Sequence, residues 1–67
     1  MYKFIGEFSE LEHLGFICNS YHNYYFLPRR NPYKYYNPIN IDIKTRRVEY
    51  MDKKDLELIK NWIVKIV

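Results

Sequence analysis

Sixty-seven residues with one cysteine, 19% aromatic content and a formal charge of +3 define a single small domain spanning residues 1–67, whose thin core hides about 60% of the surface exposed by the unfolded chain. The lone Cys18 excludes an intramolecular disulfide, and with it a stapled secreted scaffold, which points to a reducing, cytoplasmic setting. No apolar run approaches the ~20 residues that cross a bilayer, and Glu7, Glu10 and Glu12 closely follow the start, against both a membrane span and a secretory leader.

Residues 2–8 fit two patterns. Phe4, Phe8 and Leu11 fit a helix, whereas Tyr2, Phe4, Gly6 and Phe8 alternate as in a strand, and Gly6 weakens either. Ser9 with Glu12 predicts a capping box opening a short helix over residues 10–14, which Gly15 ends. Residues 16–18 and 24–27 predict a strand pair around the turn formers Asn19 to Asn23. From Pro28 to Pro38 three prolines rule out a regular ladder strand or a helix interior, so this stretch is expected to be a loop.

Ile39, Ile41 and Ile43 alternate with Asn40 and Asp42, and Val48 to Tyr50 is β-prone, which predicts a hairpin around Lys44-Thr45-Arg46 without the usual left-handed glycine. Leu56, Ile59, Ile63 and Ile66 recur at helical spacing and predict an amphipathic helix over 53–66, capped by Asp52. The expected fold is therefore α+β. It has a small antiparallel sheet of three to four strands, the C-terminal amphipathic helix packed on one face, and a short N-terminal helix.

No catalytic motif is present: the chain has only two glycines and neither a phosphate loop, a nucleophile elbow nor a zinc helix. Cys18 with His13 and His22 could be read as a thiol–histidine pair or as part of a zinc set. A cysteine in an apolar strand is more often a small hydrophobe, and structural zinc needs a fourth ligand at tight spacing. The expectation is a non-enzyme without metal or cofactor.

Charge and aromatic content are the features that rise above scaffold. Residues 28–47 carry a local net of +5, against −2 for residues 1–27 and zero for 48–67, and eight tyrosines are too many to bury in so small a core. Arg29, Arg30, Tyr33, Lys34, Tyr35 and Tyr36, joined by Lys44, Arg46 and Arg47 of the next turn, are the expected binding residues. Tyrosine with arginine suits a protein hot spot. It also suits a stacking groove for single-stranded RNA or DNA, although a net of +3 is slight for a dedicated nucleic-acid binder. Spare apolar surface at Leu58 or Trp62 leaves a homodimer open beside a monomer.

The segments Leu11-x-x-Leu14-Gly15-Phe16, Tyr24-Tyr25-Phe26, Ile41 to Tyr50 and Asp55-Leu56-x-Leu58-Ile59 together resemble short uncharacterised phage and prophage proteins of low-GC bacteria. Small phage proteins of this kind are similar to anti-CRISPRs and other counter-defence inhibitors. The resemblance implies an inhibitor or adaptor that docks on a host protein or nucleoprotein complex in the host cytoplasm. It carries no functional residues over.

Overall fold

Apolar and polar residues alternate through Ile39–Ile43 and Arg47–Glu49, Tyr24–Leu27 is an aromatic and apolar run, and a period of two sorts successive residues onto the opposite faces of a sheet. In a computed structural model, residues 1–30 and 35–66 are described, with 30, 35 and 36 given by backbone alone. The described residues form six strands: β1 (Tyr2–Phe4), β2 (Ile17–Asn19), β3 (Tyr24–Arg30), β4 (Tyr35–Asp42), β5 (Arg47–Tyr50) and β6 (Ile63–Lys65). They pair antiparallel throughout in the order β2-β3-β4-β5-β1-β6. Helix α1 (Phe8–His13) connects β1 to β2, and a 3-10 helix (Lys53–Trp62) connects β5 to β6.

This corrects the expected architecture, since the sheet has six strands rather than three or four and no α-helix spans residues 53–66. Asp52 does cap the segment, accepting from the Lys54 N–H at 3.0 Å, and Leu56 and Ile59 are buried as helical spacing requires. At Ile59 the backbone leaves helical geometry (φ −123°, ψ 15°), and at Ile63 it is extended (φ −123°, ψ 150°). Two causes act together. Ile63, Val64 and Ile66 are β-branched and favour strand, and β1 offers an edge whose backbone groups need partners. Phe4 thus faces Ile63, the Ile5 N–H donates to the Trp62 carbonyl at 2.6 Å, and the Ile66 N–H donates to that of Met1 at 2.9 Å.

The expected loop from Pro28 to Pro38 is also corrected over its described part. β3 runs through Pro28 to Arg30, and β4 runs from Tyr35 through Pro38. The ladder slips by one residue between Leu27 and Arg29, which is the kind of irregularity that accommodates a residue without an N–H. Residues 31–34 lie outside the described residues.

Residues 2–8 resolve into a strand, a short connection and the start of α1. Gly6 allows the connection, because a Cβ there would lie 2.6 Å from Trp62 Cδ1. Helix α1 opens at Glu7 without a side-chain cap, so the predicted capping box at Ser9 is not what starts it. Its end is a Schellman motif. Gly15 takes φ +98°, its N–H donates to the Glu12 carbonyl, and that of Phe16 donates to Leu11.

Strand register places Tyr2, Phe4, Tyr25, Leu27, Ile39, Ile41, Val48 and Ile63 on one face. Leu11 of α1 and Leu56 and Ile59 of the 3-10 helix close over it, giving one core in which Phe4, Leu11, Ile39, Ile41 and Ile59 are fully buried. The Tyr25 hydroxyl ties α1 to the sheet by donating to Glu12 Oε1 at 3.0 Å. Burial first, and then this carboxylate, push the phenol up to about 12 from its usual 10.0. The folded state holds this proton more tightly than the unfolded one, so the associated stability is complete below pH 10 and declines as pH rises through about 12. In an alkaline series of thermal melts, Tyr25→Phe is expected to remove that part of the decline. Parallel curves for parent and variant above pH 10 would disprove it.

Candidate functional site

The opposite face of the sheet is not covered by either helix. It carries Ile17 and Asn19 of β2, Tyr24 and Phe26 of β3, Asn40 and Asp42 of β4, Arg47 and Glu49 of β5, Lys3 of β1 and Val64 of β6. Direct cross-strand neighbours include Tyr24–Asp42, Phe26–Asn40, Asn40–Glu49 and Lys3–Arg47. Such pairs interact most strongly on a sheet surface.

An aromatic row runs along one border of this face. Tyr24 and Phe26 meet edge to face at 5.8 Å, His22 stacks on Tyr24 at 6.2 Å, and Tyr21 stands edge-on to His22 at 4.9 Å. Local turn chemistry holds the row: the His22 N–H donates to Asn19 Oδ1 at 3.1 Å, Asn23 takes φ +59°, and Asn19 Nδ2 donates to the Tyr24 hydroxyl at 3.3 Å. Tyr21 is 87% exposed. Large rings held this way present contact area at small entropic cost.

Beside the row is a hollow of about 220 Å³ lined by Tyr24, Asn40, Asp42, Arg47 and Glu49. A second, of about 140 Å³, shares Asn40 and Glu49 with it and reaches Asn37, Pro38, Tyr50 and Met51. Both fall below the ~300–1,000 Å³ of pockets that hold a metabolite or cofactor. Asp42 Oδ1 accepts the N–H groups of Lys44 and Thr45, each at 2.8 Å. The Thr45 N–H above all holds this carboxyl below its usual range. Arg47 and Glu49 form no ion pair, since among the described residues these are confined to Lys54–Asp52 and Lys60–Glu57. Asn40 Oδ1 is buried without a donor.

The sequence-predicted residues do not gather at one place. Arg29 and Arg30 end β3 opposite Tyr36 and Tyr35 at the start of β4, and Tyr33 and Lys34 lie outside the described residues. Lys44, Arg46 and Arg47 lie beyond the far end of β4, in the turn and at the start of β5; β4 is eight residues long and so spans roughly 23 Å at ~3.3 Å per residue. There the Ile43 N–H meets the Asn23 carbonyl, which joins the β4–β5 turn to the aromatic row.

Arg46 has a structural task. It takes the left-handed position of the turn at φ +63°, donates from Nη1 to the Gly6 carbonyl at 2.7 Å, and lies over the Phe8 ring at 4.5 Å. Arg47 does face the hollow. Sequence reasoning missed Tyr21, His22, Tyr24, Phe26, Asn40 and Glu49. The signal available was strand alternation, which puts Tyr24 and Phe26 opposite the core-facing Tyr25 and Leu27. No family model, curated protein or solved structure matches the chain.

Among the described residues no three His, Cys, Asp or Glu side chains are grouped to hold a metal ion. Cys18 is exposed on β2. No helix of the described residues is long and apolar enough to cross a membrane.

Proposed function

We propose that the chain is a non-catalytic binding module that acts in the cytoplasm by docking on a larger protein. Its uncovered sheet face is the contact surface, and the observation that carries this reading is the ordered row of Tyr21, His22, Tyr24 and Phe26. Aromatic anchors flanked by polar groups characterise protein hot spots. The signs of the neighbouring charges favour protein over nucleic acid: Lys3 and Arg47 are set against Asp42 and Glu49, whereas a phosphate backbone calls for cations of one sign. On the resemblance to phage counter-defence proteins, the proposed partner is a host protein or nucleoprotein complex.

The test is capture from a nuclease-treated lysate of the host cell, followed by reconstitution with the purified partner. Tyr24→Ala and Phe26→Ala are each expected to weaken that complex by about 2 kcal/mol, roughly 30-fold, with an unchanged circular dichroism spectrum. Two results would sink the reading. One is a purified partner that binds both variants as tightly as the parent; the other is a single-stranded 20-mer bound with a steep salt dependence while no protein survives nuclease treatment.

A further inference from the structure

The geometry points to an arginine side chain of the docking partner as the occupant of the hollow between Tyr24, Asn40, Asp42, Arg47 and Glu49. This rests on the protein-docking reading of the uncovered face and adds the chemistry that the partner must present. The hollow is too small for a drug-sized ligand, at about 220 Å³, yet open to one inserted side chain.

Its wall offers acceptors beside the one guanidinium of Arg47. Among the described residues the Glu49 carboxylate has no ion-pair partner, Asp42 has Oδ2 beyond the oxygen used by the turn, and Asn40 Oδ1 has no donor. Two carboxylates against Arg47 leave the lining at a net charge of −1. A guanidinium supplies five donors in a planar fork, which matches carboxylates in a fixed geometry, and it stacks on an aromatic face. Tyr24, fixed by Asn19, is the ring in that wall. The Asn40 amide turns about a soft terminal torsion, so its acceptor can swing toward an arriving donor.

Asn40 is half-buried in mid-sheet, and its Oδ1 is an acceptor at the wall of the hollow that an arriving donor can use. Arg47 sharpens the inference. It has no ion pair among the described residues and is the like charge that an incoming arginine must tolerate. A site built instead for a carboxylate would depend on it.

The test uses the full chain, ¹⁵N-labelled, titrated with N-acetyl-L-argininamide and in parallel with N-acetyl-L-lysinamide, N-acetyl-L-glutaminamide and N-acetyl-L-glutamate. Expected are saturable amide shifts confined to Tyr24, Asn40, Asp42, Arg47 and Glu49 with the arginine probe, at millimolar affinity, and at least fivefold weaker binding of the lysine probe. Glu49→Gln should weaken the arginine probe at least fivefold, and Arg47→Gln should strengthen it. Asn40→Leu should abolish the shifts and raise the melting temperature, which separates lost binding from lost fold.

Equal shifts with the neutral probe, preferential binding of the glutamate probe, or unchanged affinity in both Glu49→Gln and Asn40→Leu would overturn the proposal. So would the absence of any localised shift with the arginine probe. The two readings fail separately. A partner complex sensitive to Tyr24→Ala but not to Glu49→Gln keeps the docking face and removes the arginine; arginine binding with no protein partner does the reverse.

Discussion

Phe4→Ala is expected to leave the chain largely unfolded at 25 °C. Phe4 is fully buried in β1, between β5 and β6, and its ring begins a stack that continues through Phe8 at 6.0 Å to Tyr25, 5.2 Å farther on. Truncating a buried phenylalanine costs about 3–5 kcal/mol. A core of this size supplies only about 3–5 kcal/mol in total, so little or no net stability remains. Far-ultraviolet circular dichroism and a urea titration measure it directly. A cooperative transition within about 1 kcal/mol of the parent would show that this stack does not hold the domain together. Phe4→Leu should keep a folded but weakened protein, because it retains most of the buried apolar area.

Arg46→Ala is expected to cost about 2–4 kcal/mol, more than an exposed turn arginine would. Its bond to the Gly6 carbonyl is charge-assisted and half-buried, which is worth about 1.5–3 kcal/mol. Its place over Phe8 adds about 0.5–2 kcal/mol. Arg46→Gly loses the same contacts but relieves the positive φ, a strain of about 1–2 kcal/mol for an L-residue. The glycine variant should therefore be the more stable of the two. Denaturant midpoints decide the matter. Two variants equal to the parent would make the guanidinium contacts energetically idle, and an alanine variant at or above the glycine variant would remove the strain argument.

Sequence patterns revealed the hairpins better than the layer that joins them. Ile39, Ile41 and Val48 alternate cleanly, and the Gly15 helix stop was legible because a left-handed backbone needs that residue. Leu56, Ile59, Ile63 and Ile66 satisfy helical spacing as well, yet Ile63 opens β6 and Ile66, just past its end, donates to the Met1 carbonyl. The deciding partner, β1, is sixty residues away and was itself ambiguous, so no local window could choose between the patterns. The prolines at 28 and 38 misled for a related reason: a proline is excluded from a regular ladder but fits one that slips.

The candidate site was legible in composition and not in placement. Counting arginines and tyrosines pointed to a binding surface, but proximity in sequence put Arg29 and Arg46 together when β4 holds them apart. Arg46 turned inward because the Gly6 carbonyl and the Phe8 ring, forty and thirty-eight residues upstream, meet the turn in space. The aromatic row lay in a segment read as a strand and the turn before it. Only the pairing of Tyr25 with Ile41 reveals which of its neighbours look outward.

The position of β1 between β5 and β6 has a consequence for how the chain acquires its shape. Tyr2 precedes its partners Val48 and Lys65 by 46 and 63 residues. The meander from β2 to β5 closes through successive neighbours, whereas β1 needs β5 and β6, both distant in sequence, on its two sides. Closing loops of that length must be met before their contacts give any return, which slows folding. During synthesis the meander from β2 to β5 can thus assemble before the second neighbour of β1 has been made.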